Sequence, residues 1–157
     1  MIRVIVLLLC LLPFACAPTP TANHPTLTTD TELEAAIREA RDSLDTFVTK
    51  LATSHVDRTF VALKVRFSPP GVISQDLWVS EVMYENDVFR GNIGDDIPTL
   101  RLEAGEGITI EKEDILDWMI VEDGKLIGGY TIRLAVQRMS PDEREQFLAT
   151  IDYTIED

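Results

Sequence analysis

The stretch WMIVEDGKLIGGY, residues 118–130, decides the fold. Trp118 to Glu122 is a short apolar run with the composition of a buried strand. Asp123-Gly124 then supplies the pair of left-handed residues that a two-residue type I′ hairpin demands. Lys125 to Ile127 is the return strand. Gly128-Gly129 ends it and gives way to an apolar helix over Thr131–Met139. One hairpin followed directly by a helix implies an antiparallel sheet with helical cover.

Working upstream, Glu113-Asp114 reads as a turn into that strand, and Ile108-Thr109-Ile110 as a short strand before it. The segment 94–101 is loop. Val88–Ile93 and Gln75–Tyr84 flank Glu85-Asn86-Asp87, which predicts a second hairpin. Strict alternation in Gln75–Tyr84 places Leu77, Val79 and Glu81 on one face and Trp78, Ser80 and Val82 on the other. Thr59–Phe67 also alternates, with Val61, Leu63, Val65 and Phe67 on its apolar side. Ser68-Pro69-Pro70-Gly71 closes it.

Before the strands, apolar residues fall at Leu33, Ala36, Ile37, Ala40, Leu44, Phe47, Val48 and Leu51. That spacing predicts one long helix over residues 31–53, with Thr31 and Glu34 as a capping box. Downstream, Ser140-Pro141-Asp142-Glu143 is a second C-terminal helix start. Ser140 can cap, Pro141 suits the first turn, and two acids oppose the helix dipole. The expected fold is therefore α+β: a long N-terminal helix and two C-terminal helices on a small, strongly bent antiparallel sheet that could curl into a barrel.

The chain begins with Met1-Ile2-Arg3, then an unbroken apolar run from Val4 to Leu12. The run is far short of the roughly 20 residues that span a bilayer and has the length of a signal-peptide core. Ala15-Cys16 follows. We read residues 1–15 as a signal peptide and Cys16 as a lipid acceptor. A simple secretory cut after Ala17 is the alternative, disfavoured by Pro18 at the scissile position. Residues 16–29 are then the lipidated cysteine and a Pro/Thr-rich tether, and residues 30–157 a single domain. Cys10 falls in the removed segment, so the mature domain has no thiol for a disulfide or metal site. Ala17 is not the acidic residue of an inner-membrane retention signal, which favours the outer membrane.

The composition is lopsided: 14 basic against 27 acidic residues, net −13. Such a surface repels nucleic acid and anionic lipid headgroups. Membrane attachment would come from acyl chains. A basic protein is the partner that the charge fits, and a cell-wall component is the other candidate.

No catalytic arrangement stands out. Ser54, His55 and Asp57 are too close along the chain to be read as a triad. Asp95-Asp96 lacks the ligand spacing of a calcium loop, and the acids Glu111, Glu113, Asp114 and Asp117 are weak metal candidates. We expect no metal and no cofactor. Gly128-Gly129 before a helix could face an anion, or could simply make a tight strand-to-helix turn.

Several separated motifs occur in one order: Ala40-Arg41 with Leu44 and Phe47, Lys64-Val65-Arg66-Phe67, Leu77-Trp78-Val79, Asp117-Trp118-Met119, Gly128-Gly129-Tyr130-Thr131-Ile132-Arg133, and Arg138-Met139-Ser140-Pro141-Asp142-Glu143. Together they resemble the bacterial family domain of unknown function 2314, also called YegJ-like, over roughly residues 33–150. The loop 94–107 departs from its pattern. The resemblance implies a fold but no activity. Within it, Trp78, Trp118 and Tyr130 offer aromatic area, and Asp117 and Arg133 complementary charge. With Gly128 and Gly129 they form a candidate binding patch. The structural alternative is that both tryptophans fill the core and that Asp117 pairs with Arg133 or caps a turn.

Three functions follow as expectations. The first is a non-catalytic, membrane-tethered envelope module that binds a protein or wall component. The second is an acidic inhibitor or immunity-type protein that neutralises a basic partner. The third is a hydrolase built on the acids near Asp117.

Overall fold

The computed structural model describes residues 30–156. The expected signal peptide, Cys16 and the tether lie outside the described residues. Four helices and six strands follow: α1 (Thr31–Asp42), α2 (Leu44–Ala52), β1 (Arg58–Phe67), β2 (Gln75–Glu85), β3 (Val88–Ile93), β4 (Gly107–Ile110), β5 (Ile115–Glu122), β6 (Lys125–Gly128), α3 (Tyr130–Arg138) and α4 (Pro141–Leu148). The α+β class is as expected.

The strands form one antiparallel sheet in the order β4-β3-β2-β1-β5-β6. Strands β1 to β4 meander outward, and β5 returns to pair with the free side of β1. Only Glu111–Asp114 separate β4 from β5. A flat sheet would set those strands about 19 Å apart, four strand spacings. Five Cα steps reach about 17 Å when fully extended, and part of this link is a 3₁₀ turn. The sheet is therefore curled. It is not closed: β4 and β6 remain its two edges, so the barrel is ruled out.

The long N-terminal helix is broken in two. Ser43 leaves the helical conformation at φ −96°, ψ 7°. Its hydroxyl donates to Ala40 O at 3.0 Å and accepts the Trp118 indole N–H at 2.9 Å. The same indole N–H also reaches Ala40 O at 3.1 Å. A tryptophan from β5 thus takes the carbonyl that a continuous helix would have kept. Both halves still face the sheet through Ala36, Ala40 and Phe47. Helix α1 is capped by Asp30, whose carboxylate accepts Leu33 N–H at 3.1 Å, one residue before the expected capping box.

The face under α1 and α2 holds the main core: Phe47, Leu63, Val79, Phe89, Ile115, Trp118 and Ile120 are completely or almost completely buried. Each large apolar side chain there contributes about 2–3 kcal/mol. Val82 belongs to this face too, together with Val79. Simple alternation puts the two on opposite faces. A bulge resets it, with Glu81 at φ 52° and a register shift between Ser80 and Met83. The opposite face carries a smaller cluster of Ala62, Met119, Val121 and Leu126, joined by Trp78, Ile132, Tyr153 and Ile155. Both hairpin turns form as the sequence predicts, with positive φ at Asn86, Asp87, Asp123 and Gly124. Helix α4 starts with a full capping box between Ser140 and Glu143.

Candidate functional site

Asp117 and Trp118 are neighbours on β5 and so project to opposite faces. Asp117 is completely enclosed. One carboxylate oxygen accepts Trp118 N–H at 2.8 Å and Tyr130 N–H at 3.2 Å. The other accepts the Thr131 N–H and the Thr131 hydroxyl, both at 2.7 Å. Asp117 therefore caps the first turn of α3, whose orphan amides need such an acceptor. Burial pushes its carboxyl above the usual range, and the four hydrogen bonds only partly oppose this. No side of this carboxylate is open to a substrate.

The two glycines before α3 are required by geometry. Gly128 and Gly129 have φ of 73° and 65°. A Cβ on Gly128 would lie 2.5 Å from Trp118 O, and Gly129 N–H donates to that same oxygen at 2.8 Å. The pair turns the chain so tightly that α3 begins directly above Asp117. Arg133 does not pair with Asp117. Its guanidinium donates to the carbonyls of Gly128 at 2.9 Å, Leu126 at 2.8 Å, and Glu156. It ties β6, α3 and the C-terminal segment together.

The six candidate residues other than Trp78 thus meet at the β5–β6–α3 junction, with Tyr130 and Arg133 half-buried, and Trp118 packs tilted against Phe47 and edge-on to Tyr130. Trp78 lies apart, on the other face of the sheet. There it lines an apolar cleft of about 550 Å³ together with Phe60, Met119, Ile132, Phe147 and Tyr153. Asp152 is the charged residue of the lining. Burial, with the adjacent Asp152 charge, raises the Tyr153 phenol. The sheet forms the floor, and α3, α4 and the segment after α4 form the walls. Helix α4 buries none of its residues; Phe147, half-buried, is its contribution to the cleft. Sequence reading missed this site apart from Trp78. A signal existed in Phe60, a large aromatic on the side of β1 that carries Lys64 and Arg66, which remains 42% exposed.

A second polar cluster surrounds Glu122. Its carboxylate accepts from Lys50 Nζ at 3.1 Å and from the Arg58 guanidinium at 3.1 Å. Burial works against its charge, but these bonds outweigh burial and hold the carboxyl below the usual range. His55, Asp57 and Asp123 can bring three ligand atoms within 4.8 Å of one another. His55 Nδ1 accepts the Asp57 N–H at 3.3 Å, and Nε2 lies 3.7 Å from the Glu122 carboxylate and 3.8 Å from that of Asp123. Within this cluster the Glu122 carboxylate is the one already occupied, by Lys50 and Arg58.

These features define an α+β module with one sealed sheet face and one face left partly open. The chain belongs to the family described as an uncharacterized protein conserved in bacteria, domain of unknown function 2314, whose model matches residues 30–153. It is similar to the uncharacterized protein YegJ of Escherichia coli, 32% identical over 117 residues that cover 74% of each chain. It is also similar to a putative ankyrin repeat protein of Neisseria meningitidis serogroup B. That match is 29% identical over 91 residues, covering 55% of this chain and 36% of the relative, so it spans about a third of that protein. No solved structure matches at a significant level.

Proposed function

We propose that this chain is an exported, lipid-anchored envelope protein that acts as a non-catalytic binding module, with the cleft between Phe60, Trp78 and Phe147 as its binding site. The cleft carries the reading. A folded domain leaves about 550 Å³ of apolar space open, within the roughly 300–1,000 Å³ of ligand sites. The lining offers Thr59, Asp152, and the polar tips of Trp78 and Tyr153; it pairs no nucleophile with a base. Anchoring rests on Ala15-Cys16 behind the apolar run Val4–Leu12. No helix among the described residues is long and apolar enough to cross a membrane; acyl chains on Cys16 would supply the attachment. The absence of an acid at position 17 favours the outer membrane.

The binding role is tested by replacing Phe60 with a photoreactive benzoyl-phenylalanine and irradiating intact cells. A discrete adduct is expected at position 60 and not at Ile73, a control residue 86% exposed on the β1–β2 loop. Identical adduct patterns at both positions refute the cleft as the site. The anchor is tested by Cys16→Ala, which should move the protein from the membrane to the soluble fraction. A second reading, supported by the net charge of −13, is that the bound partner is a basic enzyme or toxin that the module neutralises.

A further inference from the structure

One wall of the cleft is acidic, while Lys64 of β1 stands in register with Trp78 and reaches the Thr131 hydroxyl. Residues 140–156, which build α4 and the wall beyond it, carry Asp142, Glu143, Glu145, Asp152 and Glu156 against the single Arg144. Glu143 is occupied in the α4 capping box, and Glu156 pairs with Lys125. Asp142, Glu145 and Asp152 make no ion pair among the described residues. Of these, Asp152 sits in the lining itself, beside Tyr153. The floor is apolar and includes an aromatic, Phe60, whose ring is nearly half exposed. Phe147 is the half-buried residue of α4, whose other residues are exposed.

We infer that the cleft receives a basic segment of a protein partner, seating one large apolar or aromatic side chain against Phe60 and Trp78 while a flanking lysine or arginine meets Asp152. This rests on the binding-module reading and names the chemistry of its partner. The apolar floor alone would accept any greasy ligand. A carboxylate within the lining and an acidic wall in a chain of net charge −13 select the cationic one, and they repel free fatty acids and other anionic amphiphiles. A protein segment fits better than a small cation because an anchor side chain occupies only part of such a cleft, leaving room for its neighbours, which can also reach the surrounding acids.

The test is isothermal titration calorimetry on the full-length chain in phosphatidylcholine nanodiscs, with empty nanodiscs as blank. The probe is the peptide Lys-Lys-Ile-Phe-Lys-Lys. One peptide should bind per chain. Changing its Phe to Ala should weaken binding by about tenfold or more. Raising salt from about 50 to about 500 mM should weaken it by about tenfold. Phe60→Ser and Asp152→Asn should each weaken it severalfold with an unchanged circular dichroism spectrum. Both residues are exposed enough for the fold to tolerate the change. A neutral peptide with Gln for every Lys that binds equally well overturns the inference. So does binding that ignores both substitutions. Neutral Nile red lodging in the cleft and lost in Phe60→Ser, with no response to the basic peptide, overturns the inference while leaving the binding-module reading standing. Loss of both responses overturns both.

Discussion

Replacing Asp117 should loosen the junction between β5 and α3 by a calculable amount. The carboxylate satisfies three backbone N–H groups and one hydroxyl. In Asp117→Ala those backbone donors lose their acceptor in a site closed to water, at about 1–3 kcal/mol each. Against this stands relief from holding a desolvated charge, which the raised carboxyl reports. The net loss should be about 3 kcal/mol, near 10 °C in Tm for a domain of this size. Asp117→Asn keeps one acceptor oxygen but turns an amide N–H toward Thr131 N–H. The Thr131 hydroxyl can rotate to accept, so about 1–2 kcal/mol is lost. Urea denaturation followed by circular dichroism measures both values, with an unchanged m-value as the check for two-state behaviour. The pH dependence adds a signature. A carboxyl raised in the folded state binds its proton more tightly there than in the unfolded chain. Its favourable contribution is complete below the ordinary carboxylate range and is lost as pH rises through the raised folded value. Asn does not titrate, so the gap between wild type and Asp117→Asn should widen as pH falls from 7 toward 4. An Asn variant as stable as wild type at neutral pH, or a gap that narrows on acidification, refutes the capping account.

Gly128→Ala should cost about 3 kcal/mol or more, since it combines a positive φ with a Cβ 2.5 Å from a backbone oxygen; guanidinium denaturation checks it, and a loss under 1 kcal/mol would contradict the tight-turn reading. Trp118→Phe removes the indole N–H that reaches Ala40 O and Ser43 Oγ, and should destabilise by about 1–2 kcal/mol while sharpening helical protection across residues 42–44 in hydrogen exchange. Asp30 is held at about 2, chiefly by its hydrogen bonds from the Arg138 guanidinium. The stability it contributes is present above the ordinary carboxylate range and lost as pH falls through about 2; in Arg138→Ala, NMR titration should find Asp30 raised but still below the ordinary value, because the Leu33 N–H keeps donating to it.

What could be read from the sequence and what could not follow from the range of the causes. The Asn86-Asp87 and Asp123-Gly124 turns were legible because positive φ is a local demand that those residue types meet on their own. The α4 start was legible for the same reason. The break at Ser43 was not. It is imposed by an indole 75 positions away in the sequence, and the apolar stripe continues unchanged across it. Val82 was misplaced because a bulge at Glu81 flips the alternation, and nothing in Gln75–Glu85 marks that residue as left-handed. Asp117, Gly128, Gly129, Tyr130 and Arg133 were legible as a group, and the structure gathers them, but as a packed knot. The cleft drew on residues from Thr59 to Tyr153, and only strand pairing between β2, β1 and β5 with α3 and α4 packed across them brings that set together.

The two faces of the sheet are covered with very different economy, and this asymmetry is the strongest physical argument for a binding role. Under α1 and α2, Phe47, Phe89 and Trp118 are sealed to 2% exposure or less, and the knot at Asp117 fixes α3 against the same sheet. Across the sheet, α4 buries none of its side chains and leaves Phe60 and Leu148 open to water. Leaving apolar rings exposed forfeits about 25 cal/mol per Å² that closer packing would recover, and it invites association. A few larger side chains on α4 would close the gap. Instead the open face sits in a chain of net charge −13, which disfavours contact between copies. Apolar surface combined with charge that disfavours self-association supports the proposal of a surface kept free for a different molecule, one whose own charge is opposite.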